Sequence, residues 1–422
     1  MRFEPSLPFA KKLDSQDPLG SFRSKFHLPR IKRKTVIYFA GNSLGLLPKS
    51  TKTIVNEELT DWANLGVEGH FHSRRPWLHY HKLSKKSLAK LLGAKSTEVV
   101  AMNQLTLNLH LMMISFYRPT KTRYKILTEA GAFSSDQYAF ESQAKFHGLD
   151  PEKAIIELSP RPGEYALRTE DILRSIEENK NEIALVIFGA VQYYTGQFFP
   201  TQKITEEGHK AGAYVGFDLA HAIGNVPLQL HNQEVDFAVW CGYKYLNSGP
   251  GGLAGAFIHE KHAKRPDLPR LAGWWGHHDK ERFQMRKGYK PMEGADGWQV
   301  SNFPVLAGAA QLASLKIFDD AGITNLRKKS FLLTGYLEFL LTSIDNFEEY
   351  FQIITPAAKN SRGCQLSLLM KKNGKNIFDK ITKAGVMADW REPDVIRLAP
   401  VPLYNTFEEV FSFSTIFKNV LR

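Results

Sequence analysis

Short apolar runs alternate with amphipathic stretches between residues 99 and 259. Runs of four to six residues rich in Val, Ile and Phe predict buried strands, and the longer amphipathic stretches between them predict helices. The predicted strands span 99–102, 124–127, 154–158, 183–188, 214–217 and 237–240. This alternation predicts an α/β fold with a mainly parallel sheet and helices on both of its faces.

The pattern changes after Pro304. Two long helical patterns come first, at 305–319 and 326–341. Strand and helix patterns then alternate: a strand at 365–370, a helix at 376–384, a strand at 395–398 and a helix from 407 onward. This order predicts a smaller α+β domain. We expect an N-terminal arm with part of the small domain at 1–50, a large domain at 51–304 and a small C-terminal domain at 305–422.

Composition narrows the functional class. The chain has 422 residues, a net charge of +12 and two cysteines. The basic run at 30–34 has no nucleic-acid recognition motif around it, so we expect no nucleic-acid partner. No apolar run is long enough to span a membrane. Two cysteines exclude a disulfide framework and a zinc-ribbon pattern. We therefore expect a cytoplasmic protein with no membrane partner and no metal.

Four chemically distinctive residues each follow a predicted strand: Thr106, Phe133, Asp218 and Lys244. Each of them also has a purely structural explanation. Thr106 and Asp218 can cap helices, Phe133 can form a hydrophobic staple, and Lys244 can be a surface lysine. Those readings do not explain why all four lie at strand ends, where α/β sheets bind ligands. A buried lysine amine can form a Schiff base, and pyridoxal phosphate enzymes pair such a lysine with an acid at the pyridine nitrogen.

Arg397 lies in an otherwise apolar predicted strand. A buried guanidinium needs an acidic partner, because burying an unpaired charge is costly. Bidentate capture of a substrate carboxylate and a structural ion pair both meet this need.

The chain resembles the kynureninase family along nearly its whole length. These are pyridoxal phosphate enzymes of the aspartate-aminotransferase fold, fold type I. The most specific motifs are Asp218–His221 and Tyr243–Asn247 taken together. The resemblance is carried by segments 39–45, 103–106, 192–197, 217–262, 273–277, 301–302 and 397–405.

The resemblance implies pyridoxal 5'-phosphate as the cofactor and assigns roles to individual residues. Its implied catalytic residues are Lys244, Tyr243 and Asp218. Its implied cofactor-binding residues are Leu105, Thr106, Phe133, Ser134, Ser135, Asp136, Asp218, His221, Tyr243, Lys244, Trp274 and Asn302. Its implied substrate residues are Ser43, His70, Ser301, Asn302 and Arg397. It also implies a homodimer with the active site at the subunit interface, where Trp274 and Asn302 would reach the phosphate.

The implied reaction is hydrolytic Cβ–Cγ cleavage of L-kynurenine to anthranilate and L-alanine, and of 3-hydroxykynurenine to 3-hydroxyanthranilate and L-alanine. The preference between the two substrates is open, with His70 and Asn302 as candidates to decide it.

Two positions depart from the family pattern. Gly189 lacks the hydroxyl that some members carry, which would remove one phosphate contact, and Trp275 stands where phenylalanine is common.

Two alternatives remain to be weighed. Another fold-type-I lyase or a desulfurase would need a mobile catalytic cysteine. Cys241 ends a predicted buried strand and Cys364 precedes another, so neither suits that role. A regulator without activity would be expected to have lost Lys244 or Asp218, and both are present.

Overall fold

The computed structural model describes residues 2–265 and 267–421. Its α-helices are α1 (Leu7–Ser15), α2 (Ser50–Leu65), α3 (Gly69–His72), α4 (Lys85–Leu92), α5 (Leu105–Phe116), α6 (Ser134–Phe146), α7 (Pro151–Ala154), α8 (Thr169–Glu178), α9 (Thr201–Lys210), α10 (Val305–Ala321), α11 (Ile323–Thr342), α12 (Phe347–Tyr350), α13 (Gly374–Lys383) and α14 (Phe407–Leu421). Its strands are β1 (Arg30–Ile31), β2 (Lys34–Thr35), β3 (Ile37–Tyr38), β4 (Val99–Ala101), β5 (Lys125–Glu129), β6 (Ile155–Leu158), β7 (Ile183–Gly189), β8 (Tyr214–Asp218), β9 (Phe237–Trp240), β10 (Gly255–Ile258), β11 (Phe351–Ile353), β12 (Leu366–Met370), β13 (Val386–Met387), β14 (Asp389–Arg391) and β15 (Val395–Leu398).

A seven-stranded sheet forms the centre of the molecule, in the order β4-β10-β9-β8-β7-β5-β6. The neighbours from β9 to β6 run parallel, and β10 is antiparallel to both β9 and β4. Successive side chains of β7 enter different cores, with Val186 on one face and Ile187 on the other. A strand buried on both faces reads as a continuous apolar run, as the sequence of β7 does. The predicted α/β class with a mainly parallel sheet is confirmed.

The carboxyl ends of three neighbouring strands meet at one edge of this sheet. β5 ends at Glu129, β7 at Gly189 and β8 at Asp218, and Gly189 is paired in register with Asp218. Parallel strands place their last residues at the same edge, so these three residues lie side by side.

A second, four-stranded antiparallel sheet has the order β11-β12-β15-β14. Its core includes side chains from α1, α11, α13 and α14. Strand β3 pairs in parallel with β13, which ties the N-terminal segment to this part of the chain. Helix α10 instead contributes Ala309 and Phe318 to the core of the large sheet. The domain boundaries at residues 50 and 304 stay predictions.

The strand pattern differs from the sequence prediction at two places that matter for the site. β5 continues through the polar pair Thr128 and Glu129, because both residues pair with β6, and both are buried. The strand at Asp389–Arg391 was not predicted, because its polar residues resemble a loop and only the pairing with β15 makes it a strand. Among the described residues, no helix is both long and apolar enough to cross a membrane.

Candidate active site

A cavity opens at the carboxyl edge of the large sheet. Nine of the predicted site residues line it: Leu105, Thr106, Phe133, Ser135, Asp136, Asp218, His221, Tyr243 and Lys244. Five further lining residues were not predicted as site residues: Glu129, Gly189, Val191, Tyr193 and Ala220. Most of the predicted cofactor-binding set therefore meets in one place.

Lys244 is buried, and its side chain lines this cavity. Its Nζ lies 3.0 Å from Nε2 of His221 and 5.4 Å from the ring centroid of Phe133. Burial, followed by the charge of Lys244, holds the pKa of His221 well below its usual range. The ring is therefore neutral, and in the tautomer that carries its proton on Nδ1, Nε2 accepts a hydrogen bond from the amine. Within the described part of the chain, that buried Nδ1 has no hydrogen-bond partner.

Three buried carboxyl groups lie in the same cavity, on Asp218, Asp136 and Glu129. Burial raises the pKa of Asp218, opposed mainly by the charge of Lys244, and its Oδ1 accepts the N–H of Ala220 at 2.7 Å. Burial and then the charge of Asp218 raise the pKa of Asp136 well above its usual range. Burial also raises the pKa of Glu129 to about 8. The cluster favours a positively charged group beside Asp218.

Two helices begin at the cavity, α5 with Leu105 and Thr106 and α6 with Ser135 in its first turn. Among the described residues, no side chain caps the start of either helix. First-turn amides without a capping partner favour an anion such as phosphate. Together with the partnerless Nδ1 of His221, this donor set fits a phosphorylated pyridine aldehyde bound through Lys244.

Ser43 and Arg397 meet through an acid that sequence reasoning missed, Asp389. Nε and Nη2 of Arg397 lie 3.0 and 2.7 Å from Oδ1 of Asp389, and the hydroxyl of Ser43 donates to the same carboxylate. Nη1 of Arg397 donates to the carbonyl oxygen of Tyr193 at 2.7 Å. The ring of Tyr193 packs edge-on against Phe133 with centroids 5.1 Å apart, so this group adjoins the cavity.

Seven predicted residues do not line this cavity: Ser43 and Arg397, described above, Ser134, and the four residues His70, Trp274, Ser301 and Asn302. Nδ1 of His70 is 3.0 Å from the carbonyl oxygen of Val67, and Nε1 of Trp274 donates to the carbonyl oxygen of Arg282 at 3.2 Å. Ser301 and Asn302 are exposed.

Ser134 and Trp275 complete the set of positions that the sequence singled out. Ser134 begins α6 without lining the cavity. Trp275 is buried, with the guanidinium of Arg282 4.4 Å from its ring centroid. Its contact with Arg282 gives Trp275 a packing role in this chain, separate from the cavity.

The reactive side chains beside Lys244 are protonated. Burial raises the pKa of Tyr243, so at neutral pH its hydroxyl keeps its proton and can donate a hydrogen bond. Cys241 and Cys364 are both buried, and burial raises the pKa of both thiols, to about 12 for Cys364. A cysteine nucleophile needs an accessible thiolate, so neither residue fits the desulfurase alternative.

Two protein families match the chain. The Aminotransferase class-V family matches residues 37–364, and the Kynureninase C-terminal domain family matches residues 326–417. Together they span the large sheet and the smaller sheet with its helices.

Curated relatives named Kynureninase match at full length. One from Flavobacterium psychrophilum is 54% identical over 99% of this chain and 99% of its own length. One from Myxococcus xanthus is 54% identical over 97% of this chain and 96% of its own length. One from Nematostella vectensis is 50% identical over 97% of this chain and 92% of its own length.

Solved structures give the fold. A cysteine desulfurase from Escherichia coli superposes with a TM-score of 0.77 at 15% identity, covering 96% of this chain and 98% of its own. An apo cysteine desulfurase from Thermococcus onnurineus NA1 superposes with a TM-score of 0.75 at 19% identity, covering 91% of this chain and 94% of its own. At these identities the likeness concerns the fold alone.

Proposed function

The chain belongs to the kynureninase family, and we propose that it cleaves the Cβ–Cγ bond of L-kynurenine with water, releasing anthranilate and L-alanine, with pyridoxal 5'-phosphate as its cofactor. The observation that carries this proposal is the buried pair of Lys244 and Asp218, facing one cavity beside two uncapped helix starts. Full-length relatives named Kynureninase support it. We propose the same cleavage for 3-hydroxykynurenine.

Bound pyridoxal phosphate supplies an electron sink for the carbon that loses its proton. In our proposal, Nζ of Lys244 attaches the cofactor and then moves the proton at Cα of the substrate. His221, whose Nε2 lies 3.0 Å from this amine, would help to hold the amine in place. The carboxylate of Asp218 would keep the pyridine nitrogen protonated, and the N–H of Ala220 donates to that carboxylate and fixes its orientation.

The remaining cavity residues would position the cofactor. The ring of Phe133, whose centroid lies 5.4 Å from the amine of Lys244, would cover one face of the pyridine ring. The starts of α5 and α6, with Thr106 and Ser135, would bind the phosphate through free amides and hydroxyls. Tyr243, which stays protonated, would donate a hydrogen bond or a proton at this end of the site. We keep Asp136 in the cofactor-binding set, because its raised pKa makes it a donor toward Asp218.

The substrate end of the site has two parts in our proposal. Ser43 and Arg397 would bind the α-amino-acid carboxylate. His70, Ser301 and Asn302 would border the aryl group, and Trp274 with Asn302 would reach the phosphate. His70, Trp274, Ser301 and Asn302 do not line the cavity of their own chain. We therefore propose that a second copy of the chain supplies some of these residues in a homodimer.

Exposed apolar side chains support the homodimer. Val67 and Phe71 flank His70, Met285 follows the Trp274 segment, and each of the three is more than half exposed. Large exposed apolar side chains mark interaction surfaces. We also propose a cytoplasmic location, since both cysteines are buried and free, as in proteins of reducing compartments.

The function is tested by product analysis. Purified protein with added pyridoxal phosphate is incubated with L-kynurenine, and anthranilate and L-alanine are quantified. We expect the two products in equal amounts. Consumption of kynurenine without anthranilate, or no consumption, would refute the proposed cleavage. Repeating the assay with 3-hydroxykynurenine gives the ratio of kcat/KM values that sequence reasoning leaves open.

A further inference from the structure

Asp389 connects two residues that the proposed function places at the substrate carboxylate. It lies directly opposite Arg397 on the neighbouring strand, in the antiparallel register of β14 and β15. The register fixes the two side chains as a cross-strand pair on one face of the sheet. The hydroxyl of Ser43, from the loop after β3, donates to the same carboxylate.

The guanidinium of Arg397 is fully buried, and Asp389 occupies one edge of it. Oδ1 of Asp389 lies 3.0 Å from Nε and 2.7 Å from Nη2. The other edge faces the carbonyl oxygen of Tyr193, at 2.7 Å from Nη1, and Oγ of Ser43, at 3.3 Å from Nη2. Asp389 therefore sets the direction in which the second edge of Arg397 points.

The electrostatics require this acid. A buried guanidinium that loses its carboxylate keeps an uncompensated charge and changes its position or its solvation. Arg391 increases the need for this carboxylate, because its Nε also lies 3.0 Å from Oδ1 of Asp389 and brings a second positive charge. Asp389 thus balances two guanidinium groups and accepts one hydroxyl hydrogen bond.

We propose that Asp389 is a positioning residue for the substrate α-carboxylate: it fixes Arg397 and Ser43 so that the Nη1–Nη2 edge of the guanidinium, which contacts the carbonyl oxygen of Tyr193 and Oγ of Ser43 in this structure, turns to that carboxylate when substrate binds. This inference rests on the proposed function, because it takes an α-amino acid as the substrate. It assigns to Asp389 no contact with the cofactor and no proton transfer. Its effect is therefore on binding of the carboxylate, ahead of the chemical steps.

The test compares holoenzymes of the wild type and of Asp389→Asn, which removes the charge with little change of shape. We expect KM for L-kynurenine to rise about 10-fold or more, as for loss of a charged hydrogen-bond partner, with a much smaller change in kcat. Binding of L-alanine to the holoenzyme, measured by the change in cofactor absorbance, weakens by a similar factor. Binding of the decarboxylated amine analogue of kynurenine stays unchanged, because it has no carboxylate to place.

Asp379→Asn is the matched control, since Asp379 lies on the exposed side of α13 and pairs with Lys375 at the surface. We expect it to behave as the wild type. Should Asp389→Asn fail to fold, Asp389→Glu is tested instead, because it keeps the charge but moves the carboxylate by one methylene. We expect KM to rise in this variant too, by a smaller factor.

Two outcomes overturn the inference. One is a KM and an L-alanine affinity in the Asp389 variant equal to those of Asp379→Asn. The other is an equal loss of affinity for the decarboxylated analogue, which indicates general damage to the site. If the wild type itself forms no anthranilate, the proposed function fails, and the binding measurements with L-alanine still decide the role of Asp389.

Discussion

The amide of Gly189 points at both carboxyl oxygens of Glu129, at 3.1 and 3.3 Å. The two residues end neighbouring strands, and both line the cavity that holds Lys244. This contact joins Gly189, where the resemblance implies a hydroxyl residue in some family members, to a buried acid that sequence reasoning missed. It leads to two predictions, one for each residue.

Glu129 makes the stability of the cofactor-free protein depend on pH. Burial raises its pKa from 4.5 to about 8, so between these values the unfolded chain releases a proton that the folded chain keeps. Folding stability from this group is therefore lost as pH rises through that window. In Glu129→Gln, we expect the slope of unfolding free energy against pH to be shallower by at most about 1.4 kcal/mol per pH unit. Denaturant titrations at several pH values measure it.

The control for this prediction is Glu157→Gln. Glu157 lies beside Thr128 on strand β6 and is exposed, so its removal leaves the slope as in the wild type. The same slope in Glu129→Gln and in the wild type would show that Glu129 ionises normally in the folded protein.

Gly189→Ser is expected to strengthen cofactor binding. A Cβ at this position would meet Oε1 of Glu129 at 3.1 Å, the far end of a flexible side chain that can shift by a few tenths of an ångström. One added hydroxyl facing the cofactor gives about 2- to 10-fold tighter binding. Titration of the cofactor-free variant with pyridoxal phosphate measures the dissociation constant. Gly189→Ala adds the Cβ alone and should give no gain; equal affinities for the Ser and Ala variants would contradict the prediction.

The shared site of the proposed homodimer predicts complementation between two inactive variants. Lys244→Ala removes the amine, and Asn302→Ala removes a residue that we assign to the partner's site. Coexpressed, the two chains form mixed dimers with one intact site each, so about a quarter of wild-type activity is expected from random pairing in a two-fold dimer. Anthranilate production by the coexpressed pair measures it. Activity no higher than the sum of the separate variants would contradict a shared site.

Much of the large sheet and of the cofactor end of the site follows from sequence. The strands are short apolar runs, and a parallel sheet places Asp218 and the residues after β9 at one edge whatever the details of packing. This is why Lys244, Asp218, Phe133 and Thr106 were expected together and line one cavity. The family resemblance is confirmed by relatives 50 to 54% identical along the chain.

The residues that sequence reasoning missed lie where tertiary contacts override local pattern. Glu129 follows a threonine at the end of a strand, and only its pairing with β6 and its burial distinguish it from a turn residue. Arg397 was expected to need an acidic partner, but Asp389 belongs to a strand that exists only through its pairing with β15. The proposed roles of Trp274, Ser301 and Asn302 depend on a second chain, so neither one sequence nor one copy determines their place.

The central claim is that Lys244 carries the cofactor in this cavity, and the most direct measurement is chemical. Borohydride reduction of the holoenzyme fixes a lysine-bound pyridoxal phosphate permanently, and peptide mass spectrometry then locates it. We predict the added mass on the peptide that contains Lys244, and its loss from that peptide in Lys244→Ala. Labelling of a different lysine in the wild type, or no labelled peptide at all, would contradict the account.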